Sequence, residues 1–136
     1  MSVVNELINA QGESLEFGNY ELGAKTKKDG FEFQGDIYKI KTFNEITKLE
    51  KNGMFVYESV PGTAVNHFQA GDTSVQFSVE GEKDAQITIQ LEDEREYEVY
   101  VDGVSVGGMK TNVSGKLVLS VELDSTESAA VRIEKM

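Results

Sequence analysis

Apolar residues recur at every second position through most of the second half of the chain, and this pattern restricts the fold more than any other feature. Val75, Phe77 and Val79 alternate with Gln76, Ser78 and Glu80, and Ile87, Ile89 and Leu91 with Thr88 and Gln90. Tyr97, Val99 and Val101 alternate with Glu98 and Tyr100. Leu117, Leu119, Val121 and Leu123 share one parity, and Val131 and Ile133 close the series. Successive side chains of an extended strand point to opposite faces, so this period describes half-buried antiparallel strands. Turn-forming clusters separate them at Glu80-Gly81-Glu82-Lys83-Asp84, Glu92-Asp93-Glu94 and Asn112-Val113-Ser114-Gly115.

Asp102-Gly103, set between Val101 and Val104, predicts a two-residue hairpin, because both central residues of a type I′ turn need positive φ. Val101 then faces Val104, and Gly107-Gly108 marks a bend or bulge. About six short strands at roughly 8–12-residue spacing predict a small sandwich.

The first half is less regular. Val3, Val4, Leu7 and Ile8 recur at helical spacing behind Ser2, a candidate N-cap, with Gly12 near the end, which predicts one short helix. Leu15 with Phe17, Tyr20 with Leu22 and Ala24, Phe31 with Phe33, and Ile37–Lys41 read as strands. Gly18-Asn19 and Lys28-Asp29-Gly30 break them. Residues 42–53 fit either a helix, capped at Thr42 with Glu45, or a hairpin. Asn52-Gly53 before the strand Met54–Glu58 favours the hairpin. The expected architecture is all-β: a small N-terminal β unit with one short helix (residues 1–69) packed on a C-terminal immunoglobulin-like β-sandwich (residues 70–136).

The 136 residues suit one domain or two very small ones, and 39% hydrophobic content suffices for a core. No run of about 18 apolar residues predicts a transmembrane helix. Without a basic leader or long apolar core at the start, the chain reads as cytoplasmic as written. The net charge of −11 opposes binding to nucleic acid and to anionic membranes. With no cysteine and a single histidine, structural zinc has no ligand set, and no metal or cofactor is expected. Glu92, Asp93, Glu94 and Glu96 form an acidic turn with no calcium-loop spacing.

The charge is uneven. Residues 1–68 carry ten acids and seven bases, and residues 69–136 carry fourteen acids and six bases. All seven early bases lie between Lys25 and Lys51. Within this island Lys25, Lys27, Lys28, Lys39 and Lys41 are candidate interface residues, able to meet an anionic ligand or the acidic half of a second subunit. The plainer role is edge protection, since lysines discourage strand-to-strand aggregation.

Three residues are candidates for ligand contact. His67 is the one imidazole, so any Ser-His-acid hydrolase must use it. Tyr100 falls on the polar parity of its strand, as an exposed platform would. Tyr57 is the second aromatic candidate. No Gly-x-Ser-x-Gly elbow and no glycine-rich phosphate loop is present.

Two resemblances follow. Residues 73–135, through Tyr97-Glu98-Val99-Tyr100-Val101-Asp102-Gly103 and Gly115-Lys116-Leu117-Val118-Leu119, resemble the immunoglobulin-like accessory modules attached to bacterial carbohydrate-active enzymes. That resemblance implies a noncatalytic module. The whole chain, through Lys48-Leu49-Glu50-Lys51-Asn52-Gly53-Met54-Phe55-Val56-Tyr57-Glu58, is similar to short proteins of anaerobic Gram-positive bacteria that carry the label endosialidase. No catalytic residue carries over from either. The expected function is a noncatalytic binding or assembly protein that self-associates as a homo-oligomer. The alternative is a carbohydrate-binding or carbohydrate-processing domain with a glycan ligand.

Overall fold

The computed structural model describes residues 3–123 and 128–136, and among them it is all-β. The strands of the first half are β1 (Ile8–Gln11), β2 (Ser14–Phe17), β3 (Thr26–Phe33), β4 (Asp36–Thr42), β5 (Thr47–Lys51), β6 (Met54–Val60) and β7 (Ala64–Ala70). Those of the second half are β8 (Ser74–Glu80), β9 (Ala85–Gln90), β10 (Glu96–Val101), β11 (Val104–Lys110), β12 (Lys116–Val121) and β13 (Ala129–Lys135). They form two antiparallel sheets. The seven-stranded sheet runs β1-β2-β7-β8-β13-β10-β11 and the six-stranded sheet β12-β9-β6-β5-β4-β3.

The alternating apolar residues meet in one core. Phe17, Phe68, Phe77, Val99 and Ile133 point inward from the seven-stranded sheet, and Ile40, Leu49, Tyr57, Ile87, Ile89 and Leu119 from the other. Tyr57 lies edge-on to Phe17 (5.2 Å between centroids) and to Phe77 (5.7 Å), so its ring joins the two sheets. Each such burial is worth about 1.5–3 kcal/mol, and edge-to-face aromatic pairs add to it. The layering is that of a β-sandwich. Residues 71–73, at the expected division of the chain, are the turn between the paired strands β7 and β8. Both sheets draw strands from either side of that turn.

The hairpin expectations hold. Asn52-Gly53 (φ 53° and 80°) joins β5 to β6, and Asp102-Gly103 (51° and 80°) joins β10 to β11 with Val101 opposite Val104. Gln34-Gly35 (51° and 84°) makes the same turn between β3 and β4. The β10–β11 register slips between Val99 and Tyr100, leaving Val106 unpaired before Gly107.

The expected N-terminal helix is absent among the described residues; its cap, Ser2, lies outside them. Leu7 takes φ 73°, which no right-handed helix admits, and the backbone pairs sideways instead. Val4 N donates to Gly18 O (3.0 Å) and Gly18 N to Leu7 O (2.9 Å), which buries Val4 and Ile8. Tyr20–Ala24 is a loop rather than a strand. Lys28-Asp29-Gly30 does not break β3 but bulges within it, with Gly30 at φ 73°. No helix of the described residues is long and apolar enough to cross a membrane.

Candidate functional site

The candidate site starts from a strained residue. Val65 and Phe68 are both buried, yet strict alternation would give them opposite faces. A bulge between Asn66 and Gln69 resolves the conflict, with His67 at φ 56°. The extra residue turns Phe68 into the core and leaves the His67 imidazole exposed on the outer face of the seven-stranded sheet. A non-glycine residue in the left-handed region is held there by its surroundings, and such residues cluster at binding sites.

On the same face, register aligns four polar side chains in one row across four strands. Tyr100 of β10 is opposite Arg132 of β13, Arg132 opposite Gln76 of β8, and Gln76 opposite Gln69 of β7. The Arg132 guanidinium sits 4.3 Å from the Tyr100 ring centroid, a cation–π stack, and its Nε is 3.2 Å from Glu134. Gln76 Nε2 donates to Gln69 Oε1 at 2.8 Å. The second donor and acceptor of this amide pair, Gln69 Nε2 and Gln76 Oε1, have no partner among the described residues. A groove of about 330 Å³ runs along the row, with His67, Ser14 and Ser78 in its walls.

The amide pair is also the wall of a second hollow. On its far side lies a cleft of about 590 Å³ lined by Leu15, Phe33, Tyr38, Val56 and Phe68 together with polar Glu13, Gln34, Asp36, Lys51 and Ser74. Phe33 and Tyr38 meet edge-on at 6.2 Å and stay half-exposed. Burial, and then Asp36 beside it, push the Tyr38 phenol upward, so it remains a hydrogen-bond donor throughout the neutral range. Together the two hollows form one tract joined at Gln69 and Gln76, with the Tyr100–Arg132 stack beside one hollow and the Phe33 and Tyr38 rings beside the other.

His67 and Tyr100 thus share one groove. Tyr57 does not join them. Its ring is fully buried and its hydroxyl is 2.8 Å from Thr63 Oγ1, so it packs in the core and not in the groove. Arg132, Gln69, Gln76, Phe33 and Tyr38 are additions. Arg132 was readable as the outward residue between Val131 and Ile133. The others depend on register and on contact between sheets, which periodicity does not report.

The lysine island divides. Lys27, Lys39 and Lys41, with Lys48, converge on the outer face of the six-stranded sheet. Lys25 stands in the loop before β3, near enough to depress Lys41. Lys28 faces elsewhere, 5.8 Å over the Phe31 ring, and Lys51 reaches Asp36 at 3.9 Å. In the acidic turn, Glu92 accepts from Lys135 Nζ at 2.9 and 3.1 Å and lies 3.6 Å from Arg95. Among the described residues no group of three or more carboxylates and imidazoles is placed to hold a metal ion.

Ser14 Oγ donates to the Gln11 carbonyl (3.0 Å), away from the imidazole. Among the described residues no hydrogen bond joins His67 to a serine or a carboxylate. What the tract offers is recognition: paired amides, a guanidinium, an imidazole and half-exposed aromatic rings. No family model, curated protein or solved structure matches this chain.

Proposed function

We propose that this chain is a noncatalytic binding domain that holds a glycan along a tract running from the outer face of its seven-stranded sheet to Phe33 and Tyr38 of the six-stranded sheet. The observation that carries the reading is the Gln69–Gln76 pair standing between the Tyr100–Arg132 stack and the Phe33–Tyr38 cleft. A sugar ring has polar edges and an apolar face. Amide, guanidinium and imidazole groups suit the edges, and half-exposed aromatic rings suit the face. The Tyr100 face under Arg132 is occupied, so stacking falls to Phe33 and Tyr38 while Arg132 serves as a donor. The finer fold assignment belongs to the same proposal. In the immunoglobulin-like reading of residues 70–136, β8, β13, β10 and β11 form one layer and β9 and β12 the other.

The test is a glycan array probed with the wild-type chain, followed by titration of the best hits into Gln76→Ala and Tyr38→Ala. Binding weakened roughly tenfold or more in both variants supports the tract, since each loses a charged-or-polar contact or a stacking face worth about 1.4 kcal/mol or more. An array without hits, or hits equally strong in both variants, overturns it.

Self-association is a second reading, favoured by one observation. β11 is the last strand of its sheet, and Val104 (66% exposed) and Val106 (51% exposed) lie on it uncovered. A free edge with apolar side chains is a template for pairing with another copy. Light scattering after size exclusion tests it: a defined oligomer supports edge pairing, and a monomer at every concentration removes it.

A further inference from the structure

The lysines on the opposite sheet are arranged in a way that stability alone does not explain. Lys27 of β3 is directly opposite Lys41 of β4, and Lys41 is directly opposite Lys48 of β5. Like charges placed face to face across neighbouring strands destabilise a sheet. Edge protection accounts for Lys27, because β3 is an edge strand, but not for Lys41 and Lys48, whose strands are paired on both sides. Acidic residues abound in this chain, yet among the described residues Lys27, Lys39 and Lys41 form no salt bridge. Lys48 lies 3.6 Å from Glu50, the one carboxylate in the wall, and Glu58 follows Lys48 along the row.

The four lysines and Glu50 enclose a hollow of about 60 Å³. That is room for a few waters, the scale of one small anionic group. Four ammonium groups against one carboxylate leave a local excess of three positive charges, inside a molecule whose net charge is −11. Lys41, at the centre, is held below the usual lysine range by desolvation and then by Lys25, Lys48 and Lys27, with Glu50 opposing them. A bound anion relieves that repulsion.

We propose that Lys27, Lys39, Lys41 and Lys48 form a binding site for a tetrahedral oxyanion, a phosphate or sulfate group, on the outer face of the six-stranded sheet. The group comes either as the free ion or as an ester borne on a larger molecule. The row shares no lining residue with the glycan tract, whose Phe33 and Tyr38 stand on β3 and β4 away from the lysine hollow, so either can fail without the other.

The experiment titrates inorganic phosphate, and separately sulfated dextran with plain dextran as control, into the full chain at constant ionic strength. Lys41→Met and Lys27→Met are compared with the wild type, and Lys110→Met serves as the control away from the site. Amide chemical shifts of β3 to β5 and the melting temperature are both read, because phosphate and sulfate also stabilise proteins generally by exclusion. The expected result is saturable shifts at Lys27, Lys39, Lys41 and Lys48, and not at Phe33 and Tyr38, in the wild type and in Lys110→Met, weakened roughly tenfold or more in Lys41→Met and Lys27→Met. A response to inorganic phosphate identifies the free ion as sufficient, and a response to sulfated dextran alone identifies an ester on a chain. Lys41→Met is also expected to melt higher than wild type in low salt without added anion, since it removes two repulsive pairs. Equal responses in wild type and both site variants overturn the proposal. So does a response that grows with protein concentration rather than anion concentration, which would place the acidic face of a second copy on the row.

Discussion

Tyr57 Oη and Thr63 Oγ1 lie 2.8 Å apart between the two sheets, and both side chains are completely buried. Thr63 Oγ1 also meets Ser59 Oγ at 2.7 Å, while the Thr63 backbone exchanges two bonds with Thr47 Oγ1, at 2.8 and 3.1 Å. Thr47 in turn meets Thr42 at 2.8 Å. These hydroxyls satisfy one another and tie Thr63, which lies outside the strands, to β5 and β6, and each depends on the next, because an unpaired buried polar group costs about 1–3 kcal/mol. The Tyr57 phenol is pushed far up by its burial and does not ionise in the folded chain.

Removing one end of the network is expected to cost less than removing its hub. Tyr57→Phe deletes a single hydroxyl and should lose about 1–2 kcal/mol. Thr63→Val strands both Tyr57 and Ser59 and should lose about 2–4 kcal/mol. Urea unfolding of both variants gives the comparison. An equal loss for the two would mean that the hydroxyls act separately rather than through Thr63.

Gly18 closes over the same region. Its φ is 98°, and a Cβ there would stand 2.4 Å from the Thr63 carbonyl oxygen. Gly18→Ala therefore combines left-handed strain of about 1–2 kcal/mol with overpacking of about 1–3 kcal/mol. Gly53, at φ 80° in the β5–β6 turn, has nothing within 4 Å of the same built atom. Gly53→Ala should cost the strain alone. Melting curves that rank the two variants the other way round would contradict the contact at Thr63.

Much of the fold was legible because polar and apolar residues alternate so strictly. From Val75 onward, parity alone separates core from surface, and Asp102-Gly103 and Asn52-Gly53 announce their turns. Gln34-Gly35 makes the same turn without the usual first residue, so it stayed hidden. Val3, Val4, Leu7 and Ile8 mimic a helix face; only the pairing with Gly18 shows the chain bending at Leu7. Tyr57 misled because Met54-Phe55-Val56-Tyr57 is apolar throughout and carries a bulge, which erases parity. For the site, parity sent Tyr100 outward correctly. The three-residue gap between Val65 and Phe68 was the available sign that His67 sits on a bulge. Which strands stand side by side, and so which residues share the row with Tyr100, is long-range information that no local pattern contains.

Glu80 supplies a test in pH. It is buried, its Oε1 has no partner among the described residues, and desolvation, with Glu21 adding to it, raises its carboxyl above the usual range. The folded state then holds this proton more tightly than the unfolded state. The resulting stabilisation is complete below the unfolded pKa and is lost as pH rises through the folded one. Glu80→Gln keeps the shape and cannot ionise. It should melt higher than wild type at neutral pH, and the gap should close as the solution is acidified past the ordinary glutamate range. A gap that stays constant with pH would show that Glu80 titrates no differently in the folded and unfolded chains.

Salt separates two modes of self-association, because the molecule carries an apolar edge and a basic row in different places. Pairing along β11 buries Val104 and Val106 and forms backbone hydrogen bonds, neither of which is screened by added ions. Docking of the Lys27–Lys41–Lys48 row on acidic side chains of a second copy is electrostatic, and its range shrinks to about 3 Å at 1 M salt. An oligomer held by β11 should therefore persist at 1 M salt and fall apart in Val106→Lys, which puts a charge on the exposed edge. An oligomer held by the lysine row should dissociate at 1 M salt, ignore Val106→Lys and be lost in Lys41→Met. Light scattering on the three proteins at low and high salt decides between them, and an oligomer indifferent to both substitutions would exclude both surfaces.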